Sequence, residues 1–162
     1  MSRLDSFIRR ITAQKDILNF VLEEISGVEG PVLELGLGNG RTYDHLRENL
    51  PDREIFVFDR SIHANPQSIS DGDHMILGEI RETLAFCGPR VKAKAAFIHC
   101  DLGSGDPTTD LATRAWISPM ISERTGQGGI VASGLSLDLP DFEEIALPDG
   151  IQKKRYFLYR KL

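Results

Sequence analysis

Cysteine is scarce: Cys87 and Cys100 are the only two among 162 residues. Two irregularly spaced thiols build neither a disulfide framework nor a zinc site, so both read as small buried hydrophobes. Long apolar runs are missing as well. No stretch approaches the ~20 residues that span a bilayer. The opening M-S-R-L-D-S-F-I-R-R scatters charges where a secretory signal would carry an apolar centre. The expectation is a cytoplasmic protein with no membrane partner. An excess of positive charge is absent too: 19 Lys and Arg stand against 24 Asp and Glu, a net charge of −5 at pH 7. That balance argues against a broad nucleic-acid surface, while leaving room for a local basic patch. With 41% hydrophobic and 27% charged residues, the composition suits one globular core, and the length predicts a single domain over 1–162.

Glycine is concentrated in one place. Pro31 to Gly40 reads P-V-L-E-L-G-L-G-N-G. Val32, Leu33 and Leu35 predict a buried strand over 31–36 that breaks into Gly36, Gly38 and Gly40. Tyr43, Leu46 and Leu50 then recur at helical spacing over 41–50. A strand, a glycine turn and a helix start let backbone approach a ligand closely, and free amides at the helix start favour an anionic group. The dinucleotide fingerprint G-x-G-x-x-G would need its third glycine at position 41, which is Arg41. The run E-I-F-V-F-D over 54–59 ends in Asp59, 23 residues beyond Gly36. An acid at that strand tip can accept both hydroxyls of a ribose.

The rest of the chain alternates. Residues 2–26 predict a helix with the stripe Leu4, Phe7, Ile8 and Ile11, continued by Leu18, Val21, Leu22 and Ile25. It either packs across the sheet edge or serves a subunit contact in a homo-oligomer. Residues 60–73 read as a loop with at most a short helix, then a strand over 74–77 and a helix ending near Gly88-Pro89. A strand over 94–100 runs into the glycine-rich D-L-G-S-G-D-P, and a helix over 108–121 is interrupted at Pro119. A strand over 128–135 follows, then a closing hairpin of 142–147 and 155–162 around Pro148-Asp149-Gly150. Lys153, Lys154, Arg155, Arg160 and Lys161 there read as edge-strand charges before they read as a phosphate-binding surface. The alternation predicts an α/β protein with a doubly wound, mostly parallel Rossmann-like sheet and an antiparallel last strand.

Taken whole, E-L-G-L-G-N-G with Asp59 resembles motif I and the following acid of class I S-adenosylmethionine (SAM) methyltransferases. The resemblance implies SAM as cofactor. It implies a cofactor site of Glu34, Gly36, Leu37, Gly38, Asn39, Gly40, Thr42, Asp59, Arg60, Glu79, Ile80 and Asp101. In that family the motif's leading carboxylate, here Glu34, lies near the cationic part of SAM. An acidic residue followed by an apolar one, here Glu79 and Ile80, borders the adenine. Glu79 equally suits a first helical turn. The (Asp/Asn)-Pro-Pro-aromatic motif of amino-methyltransferases is absent after the fourth strand. The metal-dependent catechol-type pattern is absent too, since His99 stands at its first Asp and Ser133-Gly134 at its Asp-Asn pair. Asp101 alone supplies an oxygen ligand, whereas a hard cation takes several.

The expectation is therefore a metal-independent methyltransferase acting on a small-molecule acceptor, with no nucleic-acid partner. Asp101 and His99 are the catalytic candidates, ahead of His63. Asp101 could instead bond amides of its own loop, and His99 could be a satisfied core residue. Tyr43 fits either the SAM carboxylate or the helix core. A non-catalytic SAM-binding partner or sensor is the alternative reading, and a nucleotide-dependent oxidoreductase is a third that Arg41 speaks against.

Overall fold

The computed structural model describes residues 1–162. Its first helix, α1 (Arg3–Glu24), begins at a capping box in which the Ser2 hydroxyl accepts from the Asp5 amide and the Asp5 carboxylate accepts from the Ser2 amide. Only the C-terminal half of α1 is built into the core, through Ala13, Ile17, Leu18, Val21 and Ile25. Leu4, Phe7 and Ile8, the first half of the predicted stripe, are 66%, 42% and 53% exposed. The helix lies over a sheet face, where it joins one cluster with Val32, Phe97, Ile130 and Leu158, and not across an edge as expected. Arg53 secures its end: the guanidinium donates to Val28 O and Gly30 O at 2.8 Å each and to Ile25 O at 3.3 Å.

Strand β1 (Val32–Leu35) is fully buried, and its alternation splits the core. Leu33 and Leu35 face one cluster; Val32 and Glu34 face the other. Then come α2 (Arg41–Asn49), β2 (Ile55–Asp59), a 3₁₀ turn at Pro66–Ser68, β3 (Met75–Leu77), α3 (Ile80–Phe86), β4 (Ala95–Cys100) and α4 (Pro107–Arg124). β5 (Thr125–Ser133), β6 (Phe142–Ile145) and β7 (Phe157–Lys161) complete a seven-stranded sheet of order β3-β2-β1-β4-β5-β7-β6. β1 to β5 are parallel, while β7 runs antiparallel to both β5 and β6. This is the mixed α/β sheet of the class I methyltransferase fold, as predicted. The strand order reverses between β1 and β4, and a crevice opens there at the carboxyl ends of the parallel strands.

Three local readings are corrected. Helix α4 runs through Pro119 to Arg124. Proline removes only the bond to Ala115 O, and the Ser118 hydroxyl beside it donates to Arg114 O at 2.8 Å. β5 starts at Thr125 because Thr125 pairs with Ala95 before the Gly126–Gly129 segment shifts the register to Phe97↔Ile130. The basic C-terminal strand is not an edge: β7 lies inside the sheet and β6 is outermost. Its charges are matched, Arg160 by Glu24 and Glu143 and Lys161 by Asp141.

Candidate functional site

The tips of β1, β2, β3 and β4 enclose a cavity of about 590 Å³. Gly36 and Gly38 line it from the turn after β1, Asp59 and Arg60 from β2, and Glu79 to Arg81 from the start of α3. Asp101 to Gly103 close it after β4. Thr109, Thr113 and Trp116 complete the wall. These last three recur at helical spacing on α4. That spacing was the available signal for three residues the sequence reading assigned no role, and Leu102 and Arg81 likewise went unassigned. A larger space of about 660 Å³ beside Pro119 and Pro140 shares no residue with this cavity.

The three glycines serve different ends. Gly38 adopts φ +54°, and a Cβ there would meet nothing within 4 Å, so the turn leaves its space open to a ligand. Gly40 caps α2 at φ +84°, and a Cβ there would clash with Ser68 O at 2.5 Å, so the 60–73 loop packs onto it. Gly36 adopts φ +93°, and a Cβ there would press on Asp101 O at 3.3 Å. Asp59 ties the turn to β2: one carboxylate oxygen accepts from the Leu37 amide at 2.8 Å and the Gly38 amide at 3.3 Å. The other accepts from the Ser61 amide at 3.3 Å. Asn39 is exposed at the crest, where its side-chain oxygen accepts from the Arg41 amide at 3.5 Å. Across the cavity Arg60 and Glu79 approach to 3.7 Å, both well solvated.

Glu34 and His99 do not reach the cavity. They are register partners on β1 and β4, facing the α1–α2 side of the sheet. Glu34 is fully buried, and its carboxylate accepts from the Thr42 hydroxyl at 2.6 Å and from His99 Nδ1 at 2.9 and 3.0 Å. Burial alone would lower the His99 pKa; the Glu34 charge and hydrogen bond outweigh burial and raise it. The pair, with Thr42, joins β1, β4 and the first turn of α2 beneath the glycine turn. Tyr43 is buried in the α2 core, and its phenol is raised chiefly by burial. His63 is exposed and hydrogen-bonds the Ser61 hydroxyl at 2.7 Å.

Asp101 stands apart from these. The loop after β4 is held by other acids: Asp110 accepts from the Ser104 and Gly105 amides, and Asp106 caps α4 by accepting from the Thr109 amide. The Asp101 carboxylate takes no part in that bonding and is exposed at the cavity wall. The neighbouring Cys100 is pushed up to about 12 by burial, which keeps its thiol neutral and inert.

The donor set suits SAM. Open space over Gly38, an acid at the second strand tip and an acidic-apolar pair at the third match a ligand with a cationic end, a ribose and a base. Comparison with known proteins agrees. A family described as S-adenosyl-L-methionine methyltransferase matches residues 1–161. The crystal structure of an S-adenosyl-L-methionine methyl transferase from Silicibacter pomeroyi DSS-3 shares 42% identity, with 99% of each chain covered and a TM-score of 0.90. An rRNA methylase from Streptococcus thermophilus shares the fold at 16% identity and TM-score 0.57, covering 90% of this chain and 97% of its own. A TDP-rhamnose 3'-O-methyltransferase of calicheamicin biosynthesis does so at 20% identity and TM-score 0.58, covering 98% and 83%. No curated protein sequence matches the chain. The glycine turn first suggested a SAM site, and both the family match and the 42% relative agree: the chain belongs to the S-adenosyl-L-methionine methyltransferase family.

Proposed function

We propose that this SAM-dependent methyltransferase acts on a small-molecule acceptor, without a metal ion, and that residues 1–162 work as one SAM-binding unit in the cytoplasm. The observation that carries the reading is the cavity at the strand tips, with Asp59, Glu79 and Asp101 each at the end of a different strand. When bound, SAM supplies an electrophilic methyl group on a sulfonium sulfur. Asp59 receives the ribose hydroxyls while it holds the Leu37 and Gly38 amides. Ile80, Leu102 and Trp116 give the adenine an apolar seat, with Glu79 and Arg60 at its rim. Gly36, Gly38 and Asn39 admit the methionine end by backbone approach. Asp101 orients the acceptor and takes its proton where the nucleophile carries one. Glu34, His99 and Thr42 act from beneath, as supports of the turn that Gly40 ends, and not by contact with the reacting atoms.

Two features support the finer claims. Between elements the cavity is bordered by Gly36 and Gly38, Arg60, Glu79 and Asp101 to Gly103, with no inserted domain, which suits a small acceptor. Ser133 ends β5 and Gly134 follows it, so Asp101 has no second carboxylate there to share a cation. The test is transfer of labelled methyl groups from SAM to a panel of small molecules, RNA and protein, with and without chelator. Transfer to small molecules that survives chelation is expected. Loss on chelation contradicts metal independence, and transfer confined to RNA or protein contradicts the acceptor class. Exposed Leu4 and Ile8 also support self-association through α1, which light scattering checks as a dimer mass that reverts to monomer in Leu4→Glu/Ile8→Glu.

A further inference from the structure

His74 stands directly before β3, and both of its ring nitrogens face carboxylates. Nδ1 lies 2.8 and 3.0 Å from the two oxygens of Asp71, and Nε2 lies 3.3 Å from Glu54 Oε1. A neutral imidazole carries one N–H and can donate to one of these acids; the imidazolium donates to both. The Phe56 ring packs beside it, 4.9 Å away between ring centres. Tyr43 and Arg47 from α2, and Asp52 and Arg53 from the turn into β2, line a cavity of about 240 Å³ with His74 and its two acids. Both arginines are engaged with backbone: Arg47 donates to Pro51 O and Arg53 O, and Arg53 to the carbonyls at the end of α1. Arg90, after α3, donates to Gly72 O and Asp73 O, and the Asp73 residue is exposed. His74 is therefore the cation that pairs with Asp71 and Glu54. Burial would lower its pKa; the hydrogen bonds and charges of Asp71 and Glu54 outweigh burial and raise it.

The segment that leads to His74 touches the cofactor cavity along its length. It starts at Arg60, which lines that cavity, and its Ser61 amide donates to Asp59 at 3.3 Å. At Ser68 it rests on Gly40, where a Cβ would meet Ser68 O at 2.5 Å and Ser68 Cβ at 2.7 Å. Ala64 and Ile69 pack against the cluster that holds Leu37 of the glycine turn and Tyr43 of α2. Tyr43, three residues beyond Gly40, also lines the cavity of His74. The segment contains one short 3₁₀ turn, Pro66–Ser68, and no longer element. Its shape thus depends on these few contacts, as in segments that open at low free-energy cost.

We propose that His74 is a proton switch on cofactor binding: its protonated ring clamps the end of residues 60–73 between Asp71 and Glu54, which holds the segment against the glycine turn, and loss of the proton loosens both. The inference rests on the methyltransferase reading of the cofactor cavity and adds a regulation to it. The charged ring is the clamping form. The clamp is complete below the ordinary histidine value of about 6.5 and is lost as pH rises through the raised folded value. Both acids are 67% exposed at the side chain, so water screens the pairs and the change in affinity is about threefold. Linkage makes the effect reciprocal. A ligand that favours the clamped segment favours the proton by the same factor, which is about half a pH unit in the His74 midpoint.

The test titrates the full chain with S-adenosylhomocysteine by calorimetry between about pH 6 and pH 8.5. Over the same range, NMR follows the imidazole protons of the four histidines in the free and the saturated protein. The series is repeated on His74→Gln, which also identifies the His74 signal, and on Glu54→Gln, which leaves the Asp71 contact. Expected in the parent are affinity about threefold weaker at the alkaline end and a His74 midpoint that saturation raises by about half a unit. The ligand's own titration is common to all variants. Against it, His74→Gln should show no loss, and Glu54→Gln a smaller one with a lower His74 midpoint. The same pH dependence in His74→Gln as in the parent overturns the proposal by assigning the effect to His99 or another group. A midpoint in the free protein at or below about 6.5 overturns it too, because the ring is then not held charged. So does a midpoint that saturation leaves unmoved. Failure of the parent to bind S-adenosylhomocysteine at any pH sinks the cofactor reading itself and this proposal with it, and is seen before any variant is made.

Discussion

At the scale of single residues, the buried Glu34–His99 pair carries the sharpest consequences. Two ionisable groups with 0% and 4% side-chain exposure have left water together, and each is tolerable only because the other is there. Removing one partner strands the other. His99→Leu should cost about 3–5 kcal/mol in urea unfolding, more than a cavity of that shape alone would explain. The pair also sets a pH dependence. His99 has its pKa raised on folding, chiefly against burial and through Glu34, so its contribution is complete below the unfolded value of about 6.5 and fades as pH rises through the folded value. Stability of the parent should fall across that window, and His99→Gln should flatten the profile. An unchanged slope would mean that another group dominates.

Asp59 makes a second residue-scale case, because one carboxylate both shapes the glycine turn and faces the cavity. Asp59→Asn keeps the size but replaces an acceptor oxygen by a donor that meets two amides. S-adenosylhomocysteine affinity should drop by about tenfold or more, the loss of one charge-assisted hydrogen bond. Little change in affinity would remove Asp59 from the ribose.

At the scale of elements, the junctions between helix and strand matter more than the helices. Arg53 gathers three carbonyls at the end of α1, one of the few devices holding that helix to the sheet besides its apolar half. Arg53→Met should keep the apolar stem and cost about 1.5–3 kcal/mol of stability through the lost charged hydrogen bonds. Equilibrium unfolding checks the value, and amide exchange checks that the loss concentrates in residues 20–30.

Elements were also where the sequence spoke unevenly. Buried parallel strands announce themselves as short β-branched and apolar runs, so V-L-E-L, I-F-V-F-D and A-A-F-I-H-C were found nearly to the residue. Glycine and proline were less faithful guides. Pro119 looked like an interruption because the sequence does not show that a neighbouring serine compensates within the helix. The G-Q-G-G stretch looked like a strand start because a register shift has no sequence period. Whether α1 covers an edge or a face, and whether β7 is outer or inner, depends on strand order, which local pattern does not encode. Within the site, the motif showed the acids at the tips of β2 and β4. It did not show that Glu34 turns inward to His99, because both lie on the inward-facing positions of two strands whose pairing is a tertiary fact.

At the scale of the whole molecule, the parallel strands converge on one crevice, and each element contributes its end and not its middle to it. The crevice lies where the strand order reverses between β1 and β4, and the glycine turn sits at that point. The open space over Gly38 is thus the feature on which the account turns. Gly38→Arg projects into it from a Cβ that meets nothing within 4 Å, at a backbone cost of about 1–2 kcal/mol for a side chain at positive φ. Such a variant should fold. The decisive measurement is calorimetric titration of the parent and of Gly38→Arg with SAM, S-adenosylhomocysteine and NAD(P)H. The account predicts that the parent binds the two sulfur ligands in the micromolar range and ignores NAD(P)H, and that the folded variant binds none of them. Retained affinity in the variant, or binding of NAD(P)H by the parent, would contradict the placement of the cofactor at the glycine turn.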